Sequence, residues 1–230
     1  MRVLVAHQPN YLPWLGLFYK VAQADIWVLA DDVQYATGSL INRNRIRTEK
    51  GWQWLTVPVR SRGRSGQRIG EVEIVAGDTW ARKHWQALCW NYGKARYFSD
   101  YAEKLEGVYQ KSWARLLDLN VALIEFVLKE LNIDVELRFS SELALRQERT
   151  QRLVDMAREC ECTAYLAGDG GSRRYLALET FAVAGVECRF VEFVHPLYAQ
   201  CQPGFEYNMS ALDLLFNCGP ESGKVLCRAH

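Results

Sequence analysis

The chain has 230 residues, 49% of them apolar and 12% aromatic, so it can bury a sizeable core and is not a disordered segment. Its 28 Lys and Arg against 27 Asp and Glu leave a formal charge of +1, without the basic excess that a protein of duplex nucleic acid carries. No run of about 18 apolar residues predicts a transmembrane helix, and the apolar stretch from Met1 to Ala6 is too short for a secretory leader.

A cytoplasmic protein is therefore expected. Seven cysteines at irregular spacing, with no CxxC and no His at ligand spacing beside them, predict free thiols in a reducing compartment and no metal site.

Along the chain, Arg2 to Ala6 predicts a short buried strand and His7 to Pro13 (HQPNYLP) a loop. Pro13 then opens a helix over Trp14 to Ala24, with Leu15, Phe18, Val21 and Ala22 on one face. Ile26 to Ala30 is a second strand, ending at Asp31 and Asp32. Together these make a right-handed βαβ unit with parallel strands. Gly38 to Lys50 is polar and basic. Trp52 to Val59 alternates as a strand that Pro58 ends. Arg60 to Gly70 (RSRGRSGQRIG) reads as a mobile flap, and Glu71 to Val75 as another short strand.

Helices are expected over Thr79 to Tyr92 and again within Tyr97 to Leu131, a helical insertion spanning about 79–131 of one 1–230 domain. Val135 to Phe139 is a strand, Arg149 to Glu159 an amphipathic helix and Thr163 to Ala167 a strand. After the GDGG turn come a helix over Ser172 to Ala184, a strand over Glu187 to Phe193 and a helix over Met209 to Phe216. The expected fold is α/β: an open, mostly parallel, Rossmann-like sheet with helices on both faces.

Ligands of such sheets sit beyond the carboxyl ends of the strands. Four polar segments are expected there: His7 to Pro13, Asp31 to Tyr35, Gly168 to Ser172, and His195 to Gln200. His7 and His195 are the candidate acids or bases, because imidazole titrates near neutrality; a His that only fixes its own loop is the plain alternative for His7. Asn10 and Tyr11 lie in the first loop. Asp31 and Asp32 point to opposite faces, so one suits a metal or a ribose hydroxyl, with helix capping or a turn as the plain alternative.

Asn42, Arg43 and Arg45, in NRNRIR, offer guanidinium forks to phosphate or carboxylate, or else form a solvated loop. Gly168, Asp169, Gly170, Gly171 and Ser172 form a strand-to-helix turn open to a phosphate, or a plain tight turn with Ser172 as N-cap. Arg174 and Tyr175 follow at the helix start, where Arg is favoured only if an anion is near, and Gln200 is a further polar candidate.

The run HQPNYLPWLGLFYKVAQADIWVLADDVQY, then NRNRIRT, GWQWLTVPV, TQRLVDMARECECTAYLAGDGGSRRYL, FVEFVHPLYAQ and LDLLFNCGPES, resembles the WbqC-like proteins from His7 to Glu221. The resemblance implies a bacterial protein of surface-polysaccharide (O-antigen) biosynthesis, with acyl or aminoacyl transfer (glycyl has been suggested) to an activated amino sugar. With the arginine clusters and the glycine turn, this makes a small nucleotide-linked molecule the expected partner, a nucleotide or nucleotide-sugar taken as substrate. The oligomeric state stays open. A fainter likeness, to nucleotidyltransferases with a TxGH or HxGH loop, rests on His7 alone and leaves two alternatives standing: a nucleotidyltransferase-like enzyme, or a non-catalytic nucleotide-binding or assembly protein.

Overall fold

The computed structural model describes residues 1–170 and 172–228, with the Ser172 side chain outside the description. In chain order the first elements are β1 (Val3–His7), α1 (Leu15–Val21) and β2 (Ile26–Leu29). An antiparallel pair follows, β3 (Arg43–Thr48) and β4 (Gly51–Thr56), then α2 (Thr79–Tyr92), α3 (Phe98–Gln110) and α4 (Leu116–Glu130). The chain returns through β5 (Glu136–Phe139), α5 (Arg149–Glu159), β6 (Ala164–Gly168), α6 (Ser172–Tyr175), α7 (Leu178–Val183) and β7 (Glu187–Val191), and closes with α8 (Ala211–Cys218) and α9 (Ser222–Cys227).

Five strands form one parallel sheet in the order β5-β2-β1-β6-β7. Its two faces follow from the two-residue period of a strand. Val5, Trp27, Leu29 and Leu166 face one core, shared with α1, α4 and α8. Leu4, Ile26, Val28 and Tyr165 face a second, closed by Val154 and Ala157 of α5 and Phe181 of α7. Both faces are covered, as an all-parallel sheet requires. Among the described residues no helix is long and apolar enough to cross a membrane.

Three local expectations are corrected. The basic NRNRIR segment, for which a solvated loop is the plain alternative, is mostly strand β3: it pairs with β4, and the buried Asn44 and Arg47 side chains bond to nearby backbone. Glu71 to Val75 is not a regular strand: a 3-10 turn spans Ile69–Glu71, and beyond it only isolated bridges form, Ile74 to Val59 and Glu73 to Arg115. The helix expected over Ser172 to Ala184 is two short ones, α6 and α7, separated at Leu176 and Ala177.

The Arg60 to Gly70 segment is anchored at both ends. Arg60 and Arg64 pair with Glu73, Ile69 is buried, and the Gly70 N–H donates to the Asp31 carbonyl at 2.8 Å.

Candidate functional site

Strand order decides where a site can form. From β1 the chain winds outward through β2 to β5, then crosses back to β6 on the other side of β1 and on to β7. The reversal lies between β1 and β6, the point at which open α/β sheets bind ligands. The pairing there is short: Val3 registers with Ala164 and Leu4 with Tyr165, while β1 and β2 register over four residues and β6 and β7 over five. Continuing the β1–β6 register would set His7 opposite Gly168. Beyond the paired residues, a crevice of about 550 Å³ lies between the two strands' carboxyl ends, lined by His7, Lys20, Gly168, Gly170 and Tyr175.

His7 shares a face of β1 with Val5, which places its ring toward α1. Its Nδ1 lies 2.9 Å from the Gln8 carbonyl. A carbonyl only accepts, so Nδ1 carries the proton and the neutral ring has its lone pair on Nε2. Burial, and then the Lys20 ammonium, push the His7 pKa down to about 4, against a smaller upward effect of the Gln8 bond. His7 is therefore neutral at pH 7 and accepts hydrogen bonds through Nε2.

Lys20 was not legible as a candidate by residue type alone, yet its signal is in the sequence. It is the only charge within the apolar run Leu15–Val21 and stands one turn after Gly16. Glycine in mid-helix costs helix stability. Here it admits a close approach: a Cβ on Gly16 would lie 2.3 Å from the Trp14 ring and 2.9 Å from Phe193. Trp14 and Phe193 meet edge to face at 5.5 Å and form the aromatic wall of the crevice.

At the glycine turn, Asp169 lines the crevice but pairs with Arg173, whose guanidinium also lies 4.4 Å from the Phe190 ring centre. This intramolecular pair accounts for one of the two arginines at the start of α6 without a bound anion. Arg174 is exposed and is not among the residues lining the crevice. With only four residues, α6 adds little macrodipole to the turn. Gly171 and the Ser172 side chain lie outside the described residues.

The other candidates are elsewhere. The His7–Pro13 loop turns inward rather than rimming the crevice: Asn10 and Tyr11 are buried, and the Asn120 side chain donates to the Pro9 and Ile41 carbonyls, each at 2.8 Å. Tyr11 OH is 2.8 Å from His84 Nδ1 and 2.7 Å from Tyr109 OH, a buried polar chain. Asp31 accepts from Ser141 N and Ser141 Oγ, at 3.0 and 2.7 Å, and Asp32 pairs with Arg152 and Ser140, so both tie β2 to β5 and α5.

The Asn42 side chain donates to the Val57 carbonyl at 2.9 Å. The Arg43 guanidinium lies 4.4 Å from the Trp54 ring and that of Arg45 5.1 Å from Trp52, a cation–π ladder on the β3–β4 pair. Gln200 bridges Arg47, Glu206 and the buried Asp213, whose carboxyl burial pushes up. His195 packs among Phe193, Tyr198, Phe205 and Tyr207, and its Nδ1 donates to the Pro196 carbonyl at 2.9 Å. The one crevice thus gathers His7, Gly168, Asp169, Gly170 and Tyr175, and leaves out Asn10, Tyr11, Asp31, Asp32, Asn42, Arg43, Arg45, Arg174, His195 and Gln200. Among the described residues no group of three His, Cys, Asp or Glu side chains is arranged to hold a metal ion.

The model of the WbqC-like protein family matches residues 8–225. The chain belongs to the WbqC-like protein family. It is 35% identical over 232 residues to the uncharacterized protein Rv1507c of Mycobacterium tuberculosis, covering 99% of this chain and all of that one. No solved structure matches it. The WbqC-like match begins immediately after His7 and takes in α1, the glycine turn and β7, so every wall of the crevice but His7 and Ala6 falls within it.

Proposed function

We propose that this WbqC-like protein is a transferase of bacterial surface-polysaccharide (O-antigen) synthesis, moving an acyl or aminoacyl group onto the amine of a nucleotide-linked amino sugar. The observation that carries this reading is the crevice at the strand reversal, where the neutral His7 presents an accepting Nε2 beside the bare Gly168–Gly170 backbone. Its size suits a ligand of nucleotide scale.

Chemically, the amine nitrogen attacks the acyl carbon of an activated donor such as an acyl adenylate. The new C–N bond forms as the bond from the acyl carbon to the leaving phosphate breaks. The amine's surplus proton passes to His7 Nε2. Such a direct attack needs no covalent enzyme intermediate, which suits a crevice whose described lining holds no cysteine. His195, outside the crevice, is left without a part in the transfer.

The test is turnover. UDP- and dTDP-linked amino sugars are incubated with acyl or glycyl adenylates, and the products are weighed by mass spectrometry. The reading predicts an acylated nucleotide sugar that forms only with the active protein. Binding of the nucleotide sugar with no product from any donor would favour a non-catalytic nucleotide-binding protein instead.

A further inference from the structure

Lys20 is the only lysine of the described chain that the fold hides, with 8% of its surface exposed. Its ammonium forms no hydrogen bond or ion pair with any described residue. Of the carboxylates at the crevice, Asp169 is engaged by Arg173, and Glu192 is exposed on the rim. Hiding an ammonium without an anion is costly, and that burial pulls the Lys20 pKa down to about 8. The amine nevertheless stays mostly protonated at pH 7. An apolar residue beside Leu17 and Val21 would serve the core better, so a lysine here opposes stability.

The wall across from it is also unusual. Neither Gly168 nor Gly170 has a positive φ. A Cβ built on either would meet no atom within 4 Å. Neither backbone strain nor packing within the described chain therefore requires glycine at these positions. What their bare backbone does provide is close access from the crevice. The adjoining Trp14 and Phe193 rings supply a flat apolar surface suited to a base or sugar ring. A buried cation, a bare peptide wall and an aromatic wall together fit an oxyanion carried on a ring-bearing molecule.

We propose that Lys20 is the anchor for a phosphate of the nucleotide-linked substrate, with its Nζ donating to a non-bridging oxygen that lies against the Gly168–Gly170 backbone. This rests on reading the crevice as the nucleotide-sugar site. It adds the group that takes the charge and assigns His7 Nε2 to the neighbouring amine rather than to the phosphate. Lys20 is then a binding residue whose cost to the free protein is offset only when the phosphate is present.

That trade gives the variant Lys20→Met a signature that a structural lysine would not produce. Titration calorimetry with UDP and with inorganic pyrophosphate is expected to show affinity reduced at least about tenfold in Lys20→Met, while its thermal midpoint without ligand rises by about 2 °C or more. The wild-type affinity should weaken with added salt, and the residual affinity of the variant much less. Equal pyrophosphate affinity in the two proteins would overturn the proposal. So would a lower midpoint in Lys20→Met, since that would make the lysine structural. Wild-type protein that binds acetate or glycine but neither pyrophosphate nor UDP would show a carboxylate site and overturn it as well. The outcome is separable from that of the transfer reading: Lys20-dependent UDP binding without turnover sinks only the transfer, and turnover with unchanged binding in Lys20→Met sinks only the anchor.

Discussion

His84 provides the sharpest test of the buried polar chain behind the His7–Pro13 loop. It lies on α2, 6% exposed, with its Nδ1 2.8 Å from Tyr11 OH, and Tyr11 OH in turn 2.7 Å from Tyr109 OH. A charged ring here would be buried among the Tyr11, Trp80 and Tyr109 side chains with no anion beside it. Burial accordingly pushes the His84 pKa from 6.5 down to about 4, with the Thr56 bond opposing it weakly.

Between those two values the unfolded chain holds the proton and the folded chain does not. Stability should therefore fall as pH drops from about 6.5 to about 4, and this contribution should be flat below that. The displacement corresponds to up to about 3 kcal/mol. His84→Gln keeps a donor and an acceptor but cannot titrate. Urea denaturation at pH 4, 5, 6 and 7 should show the variant slightly less stable at pH 7, by about 1 kcal/mol, but with an acid loss smaller than the wild type's by about 2–3 kcal/mol. Carboxylates and His7 titrate alike in both proteins and cancel in the comparison. Identical acid losses, or a His84 ring proton titrating near 6.5 by NMR, would refute the network.

Three further outcomes are expected. His7→Asn should fold normally, because an Asn amide can still donate to the Gln8 carbonyl, and should lose turnover about tenfold, a loss of about 1.4 kcal/mol, with UDP affinity little changed; unchanged turnover would reduce His7 to a loop-fixing residue. Burial raises the Asp32 carboxyl pKa, but the bonds from Arg152 and Ser140 outweigh it and hold it below the usual range, so Asp32→Asn should destabilise by about 3 kcal/mol in urea unfolding without altering ligand affinity. Weaker ligand binding with unchanged stability would instead return Asp32 to the site. Gly219→Ala should lower stability by about 2 kcal/mol or more in thermal unfolding, since Gly219 has φ +55 and a Cβ there would lie 2.4 Å from the Tyr97 ring; a wild-type midpoint would show that Tyr97 can move aside.

Much of the architecture is local and could be read directly. The bounds of α2 and α5 match the expectation residue for residue because each has a strong period. For α5 the structure adds a cap that the period alone does not show, Glu148, which accepts from the Thr150 and Gln151 N–H groups. The strands of the two βαβ units are short apolar runs between turns, and they too fall within one or two residues of expectation. Where local pattern and tertiary pairing disagreed, pairing won. NRNRIR looks soluble and loop-like, yet it forms a strand because β4 supplies partners along its whole length and Trp52 and Trp54 cover its arginines.

The sequence by itself determined that this is an α/β chain with polar segments following its strands, that His7 and the glycine turn each end a strand, and that the chain resembles the WbqC-like proteins. Those properties depend on neighbours a few residues apart, through hydrophobic period, capping and turn chemistry. Only the tertiary structure decided which strand ends meet. The β5-β2-β1-β6-β7 order brings His7 and Gly168 to the two sides of one reversal point and leaves Asp31, Asp32 and Gln200 to bind other parts of the chain. It also turned Tyr11 from a loop residue into a core hydroxyl and Lys20 from one charge in an apolar helix into the buried cation of the crevice. The physical reason is that burial and charge compensation depend on contacts between residues far apart in the chain, and those contacts are fixed by strand order and packing, not by local spacing.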